Sequence, residues 1–99
     1  VANELVIDRR AAADLDSIHD YVSERAGSDI ADAYLRRILA RCERVRTAPL
    51  IGTPRDDLAP GLRTIAFERR ATIAYEVDRE RVIIRRVLHA GRDPAREFG

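Results

Sequence analysis

The sequence predicts an α+β domain with the element order β-α-α-β-β-β, a helical hairpin packed on one face of a small, mostly antiparallel sheet. Three observations predict it. Apolar residues recur at helical spacing through the first half of the chain. From Leu62 onward they alternate, or cluster in short β-branched runs separated by hairpin-length links. Between the halves lies Gly52–Phe67, "GTPRDDLAPGLRTIAF", an irregular stretch with two prolines and two glycines that turns into a strand.

Glu4 to Asp8, "ELVID", is β-branched at its centre and reads as the first strand. Ala11, Leu15, Ile18 and Val22 then form one narrow helical stripe. Asp8 is placed to cap that helix, Gly27 to end it and Ser28 to cap the next. The second helix is expected from about Asp29 to Thr47, with Asp29 and Asp32 early and Arg37, Arg41, Arg44 and Arg46 late, as the helix dipole favours. Its apolar residues, including Ile30, Tyr34, Leu35, Ile38, Leu39, Cys42 and Val45, spread over about half the circumference, wider than one packing face needs. Pro49 stops it. The strands expected next are Leu62–Phe67, Ala71–Val77 and Arg81–His89, joined by hairpins at Glu68–Arg70 and Asp78–Glu80. The tail from Ala90 to Gly99 carries Pro94 and reads as loop or a short helical turn.

The length of 99 residues implies one domain, residues 1–99. With 45% hydrophobic and 35% charged residues the chain is too apolar for disorder and reads as soluble and globular. No apolar run approaches the ~18 residues of a membrane span. The start, Val1 to Glu4, has no secretory pattern, and Cys42 alone cannot form an internal disulfide, so a reducing cytoplasm is expected. All 18 cationic residues are arginine, which removes lysine as nucleophile or Schiff-base former. Net charge is +1, but residues 63–99 carry 9 arginines against 6 acids, so the basic end is the C-terminal one.

No catalytic constellation emerges. A phosphate cradle needs closely spaced glycines feeding a helix, whereas Gly52 and Gly61 are far apart and precede a strand. Pro60-Gly61 fits the centre of a type II turn, so the stretch reads as a connector. His19 borders the first apolar stripe, and neither it nor His89 has a neighbour at metal-ligand spacing. Cys42 reads as core, and Asp56-Asp57 as a solvated turn rather than a carboxylate pair. No cofactor or metal is implied. Arg63, Arg69, Arg70, Arg85, Arg86 and Arg92 either hold phosphates or pair in solvent with Glu68, Glu76, Glu80 and Asp93. Arg37, Arg41 and Arg44 read as a solvated face.

Three segments together resemble one family. "ADLDSIHDYV" at Ala13–Val22, the Gly-x-Pro-Arg and Pro-Gly-Leu-Arg elements of Gly52–Phe67, and "IAYEV" followed by "VIIRRVLHAGRD" resemble the ParE branch of the ParE/RelE toxin superfamily, in matching order and spacing. The resemblance implies the toxin of a bacterial type II toxin–antitoxin module, one that inhibits DNA gyrase without being an enzyme. It also implies a ParD-like antitoxin partner that wraps the toxin, and operator DNA bound only indirectly, through that antitoxin. The RelE-like branch implies instead a ribosome-dependent mRNA endonuclease. The absence of lysine, and of tyrosine after Tyr75, argues against that chemistry, while His89 and the arginines keep it open. A non-toxic antitoxin-binding member is the third reading.

Two surfaces are expected to matter. Arg85, Arg86, His89 and Arg92 lie at the basic end and are the candidates for toxicity and target binding. Tyr34, Leu35, Ile38 and Leu39 are the candidates for antitoxin binding, in a groove left by the wide arc of the second helix. The competing reading is that the first helix covers that arc.

Overall fold

The computed structural model describes residues 2, 4–89 and 92–98. Strand β1 (Glu4–Ile7) is followed by helices α1 (Arg9–Ala26) and α2 (Ser28–Thr47), then β2 (Thr53–Pro54), β3 (Leu62–Phe67), β4 (Ala71–Asp78), β5 (Arg81–His89) and α3 (Pro94–Phe98). The predicted order is present with one addition, the very short β2, and of the two readings of the tail the short helical turn is found, as α3. Within the tail, Ala90, Gly91 and Gly99 lie outside the described residues.

The five strands form one sheet in the order β1-β5-β4-β3-β2. β3, β4 and β5 make the antiparallel meander, and β1 joins β5 in parallel from Glu4↔Arg81 to Ile7↔Ile84. A parallel pairing needs a long crossover, and the α1–α2 hairpin belongs to it. The helices are joined through Gly27 alone, at φ +93 and ψ 160, a conformation that side chains disfavour. Ser28 is therefore the first residue of α2 and not its cap. Asp8 does occupy the N-cap position of α1, but its side chain makes no capping bond.

The helices cover one sheet face. Ala11 and Ile18 of α1 and Tyr34, Ile38, Cys42 and Val45 of α2 pack in one cluster with Ile73, Tyr75, Val82, Ile84 and Val87. Complete burial of a side chain such as Ile38 stabilises the fold by about 2–3 kcal/mol. Cys42 is fully buried there, and its thiol is pushed up to about 11, first by burial and then by Glu43.

The Gly52–Phe67 stretch is a connector tied down at three points. The Tyr75 hydroxyl donates to the Pro49 carbonyl at 2.7 Å and accepts from the Gly52 N–H at 2.8 Å. A Cβ on Gly52 would lie 2.6 Å from that hydroxyl oxygen, which explains glycine there. Arg63 donates to the carbonyls of Leu50 and Gly52, and Asp56 accepts from the Gly61 N–H. Pro60-Gly61 forms the expected turn: Gly61 sits at φ +76 and the Leu62 N–H donates to the Ala59 carbonyl. The β3–β4 turn has no glycine, yet Glu68 and Arg69 both take positive φ, a strained choice for such residues.

Candidate functional site

The site lies where β5 outruns β1. Pairing between them ends at Ile7↔Ile84, with the Asp8 N–H donating to the Ile84 carbonyl. Beyond that point α1 takes the place of a neighbouring strand. Asp14 accepts from the Val87 N–H at 2.9 Å, and from Arg86 Nε and Nη2 at 2.8 and 3.0 Å. Arg86 Nη1 also stands 2.9 Å from Glu97 Oε1 of α3, an ion pair off the line of a good hydrogen bond. Asp14 and Glu97 thus hold the Arg86 guanidinium firmly charged.

A register shift at Ala74/Tyr75 sets Ala74 opposite Arg86 and Tyr75 opposite Ile84, so Arg85 is the extra residue of a bulge. The two neighbouring arginines differ in their surroundings. Arg85 is half-exposed, 3.6 Å from Glu76, while Arg86 is buried. Arg86, expected either to hold phosphates or to pair in solvent, instead pairs with Asp14 and Glu97 inside the fold.

After the bulge, His89 reaches the helices. Its ring meets Tyr21 of α1 and Tyr34 of α2 edge-on, at centroid distances of 5.4 and 5.7 Å. Tyr34 also packs on Phe67 at 5.7 Å. Burial, with help from Arg70, holds His89 below its ordinary value of 6.5. Burial and then Glu68 raise the Tyr34 phenol. Both groups are neutral at neutral pH, and neither Tyr34 Oη nor His89 Nε2 has a hydrogen-bond partner among the described residues.

Two cavities of about 290 Å³ flank this histidine. One lies toward Asp14, Ser17 and Arg92. The other runs between the helix ends and the β3–β4 turn, floored by Tyr21, Val22, Ile30 and Tyr34 and rimmed by Arg25, Arg37, Glu68 and Arg70. On that rim Arg37 makes a two-point pair with Glu68, at 2.8 and 3.1 Å. Arg25 lies 3.7 Å over the Tyr21 ring and donates to the Tyr21 carbonyl.

The antitoxin-binding candidates on α2 separate as well. Tyr34 and Ile38 are core residues, covered as the competing reading has it. Leu35 is partly buried against the same core, and Leu39 is exposed. Beside the second cavity the exposed apolar residues are Ile30, 56% accessible, and Tyr21, 38% accessible. Sequence reasoning missed Asp14, Tyr21 and Glu97. Asp14 had a legible signal, since it falls three residues after Ala11 and four before Ile18, on the buried face.

The remaining candidates have structural partners. His19 Nε2 pairs with Asp32 across the hairpin at 2.7 Å, and Asp57 pairs with Arg55 while Asp56 serves Gly61. Among the described residues, no group of three or more His, Cys, Asp or Glu side chains could hold a metal ion. No helix among them is long and apolar enough to cross a membrane.

Comparison with known proteins gives a consistent result. Residues 5–94 match the family model described as ParE toxin of type II toxin-antitoxin system, parDE. Toxin ParE3 of Caulobacter vibrioides is 34% identical over 91 residues, covering 92% of this chain and 90% of that one. Toxin ParE1 of Mycobacterium tuberculosis is 32% identical over 99 residues, covering 99% of this chain and all of its own. A solved structure described as a chromosomal ParDE TA system from P. aeruginosa superposes with a TM-score of 0.77 at 27% identity, over 88% of this chain and 95% of that one.

Proposed function

The chain belongs to the ParE toxin family of type II toxin–antitoxin systems, and from that premise we propose that it acts in the cytoplasm, as a single domain, as a non-enzymatic inhibitor of DNA gyrase held inactive by a ParD-like antitoxin. The observation that carries the choice over an mRNA endonuclease is the state of the groups that chemistry would need. Arg63 is committed to the Leu50 and Gly52 carbonyls, Arg86 to Asp14 and Glu97, and His89 is wedged between two tyrosines. General acid–base work needs a titrating group within reach of substrate, and a wedged, neutral histidine is poorly poised for it.

Under this reading the target meets the exposed cations Arg85 and Arg92, with His89 and Arg86 supporting them from within. The antitoxin lays an amphipathic segment along the cavity floored by Tyr21, Ile30 and Tyr34, with Leu39 and part of Leu35 accessible on the same helix. The test is expression without antitoxin while DNA and protein synthesis are followed separately. Early loss of DNA synthesis, with trapped cleavage complexes in a purified gyrase reaction, is the expected result. Early loss of translation with site-specific mRNA cuts that vanish in His89→Ala would establish the endonuclease. Normal growth with soluble protein present would establish a non-toxic antitoxin-binding member.

A further inference from the structure

We propose that the cavity at the end of β5 is a carboxylate-binding site, which takes one Asp or Glu side chain of the antitoxin segment through Tyr34 Oη, His89 Nε2 and the Arg70 guanidinium. The inference rests on the reading that the antitoxin docks in this groove.

Three independent features converge there. Tyr34 is only 6% exposed, and its hydroxyl has no hydrogen-bond partner among the described residues. Buried polar groups are normally satisfied, so an orphan hydroxyl in a cavity wall asks for an explanation. His89, which lines the same cavity, carries a second buried atom, Nε2, without a hydrogen-bond partner among the described residues. The third feature is the rim charge. Arg37 is neutralised by Glu68 and Arg25 is engaged at Tyr21, whereas Arg70 has no ion-pair partner among the described residues. The strained turn at Glu68 and Arg69 carries that free cation to the cavity.

The chemistry favours a carboxylate on a peptide. One free guanidinium matches one negative charge, and nearby Glu68 disfavours a dianion. The apolar floor at Tyr21 and Ile30 suits the apolar side of the same segment. Both orphan atoms are covered in the free chain, so docking displaces the side chains over them, an ordinary rotamer change on binding.

A carboxylate beside His89 also favours its protonated form. The ionisable groups lining the two cavities with the ring are Asp14, Tyr21 and Arg25 on α1, Tyr34 and Arg37 on α2, Glu68 and Arg70 on the β3–β4 turn, and Arg92 beyond the strand. None of them is a carboxylate hydrogen-bonded to Nε2, so the docked side chain supplies the missing counter-charge and the complex takes up a proton.

The test uses the full chain and, as probe, its full-length ParD-like antitoxin, with calorimetry from pH 6 to 8. Affinity should rise as pH falls, with proton uptake that disappears in His89→Gln. Tyr34→Phe, which keeps the ring, and Arg70→Gln should each weaken binding about tenfold, the scale of a charge-assisted hydrogen bond. An antitoxin variant with the docking acid made an amide should lose no further affinity when combined with Arg70→Gln. Unchanged affinity in folded Tyr34→Phe and Arg70→Gln, with loss in Ile30→Asp, would leave the groove standing and overturn the carboxylate site. Unchanged affinity in all three would overturn the groove as well.

Discussion

Asp14 and Arg86 stand 72 positions apart in sequence, yet they make a two-point ion pair at 2.8 and 3.0 Å with both side chains less than a tenth exposed. The same carboxylate binds the Val87 N–H, so one side chain closes the strand edge that β1 leaves open and neutralises the cation beside it.

Asp14→Ala should therefore be among the most destabilising substitutions in the chain. It strands a buried guanidinium with Glu97 as its remaining carboxylate, and breaking such a pair costs about 3–5 kcal/mol. Urea unfolding should show the loss, and Asp14→Leu with Arg86→Met should recover most of it. A loss below about 1 kcal/mol would mean that the pair behaves like a surface one.

Gly52 and Tyr75 should behave as a coupled pair. Gly52→Ala brings a Cβ within 2.6 Å of the phenol oxygen and should cost about 1–3 kcal/mol. Tyr75→Phe leaves the Gly52 N–H and the Pro49 carbonyl without their partner and should cost a similar amount. The double variant should lose less than the sum but not revert, since the ring carbons also crowd Gly52. Strict additivity in thermal melts would contradict the contact.

Cys42 should resist alkylation in the folded protein at pH 8 and react on unfolding. Its thiol ionises near 11 in the fold against an ordinary 9, so the folded state keeps the proton longer. That contribution is whole below pH 9 and is lost as pH rises toward 11, amounting to roughly 2–3 kcal/mol. The stability difference between the native chain and Cys42→Ala should narrow over that window. Rapid native-state labelling at pH 8 would count against the burial.

His89 has the opposite sense. Its folded value is held below 6.5, so its contribution is whole above that pH and is lost as pH falls below it, when the unfolded chain gains a proton first. His89→Gln should flatten the acid limb of the stability profile below about pH 6.5. A side-chain nitrogen titration that places His89 above 6.5 in the free chain would reverse this conclusion.

Arg85 and Arg86 should separate in function. Arg85→Ala combined with Arg92→Ala should leave a folded, antitoxin-binding protein with reduced growth inhibition. Arg86→Ala should lose folded protein first, because its partners Asp14 and Glu97 are left facing each other's charge. Full toxicity in the Arg85/Arg92 variant would move the target surface elsewhere.

The local elements were legible because their causes are local. Helical spacing from Ala11 to Val45, alternation from Ile73 to Val77, and the Pro60-Gly61 turn depend on neighbours within a few residues. The family was legible for a related reason, since its three signature segments are contiguous stretches of chain. β2 was not, because a two-residue strand carries no period. Nor was the division of the wide α2 arc: periodicity states how many positions are apolar, while α1 and the sheet decide that Tyr34 and Ile38 are covered and Ile30 and Leu39 are not. The site depended on tertiary structure most of all. Arg85 and Arg86 are identical and adjacent in sequence, yet Asp14 of α1 and Glu97 of α3 take up Arg86 in a buried pair while Arg85 stays half-exposed beside Glu76. Pairing, register and burial are set by segments many tens of residues apart, and no local pattern of residues records which of them will meet.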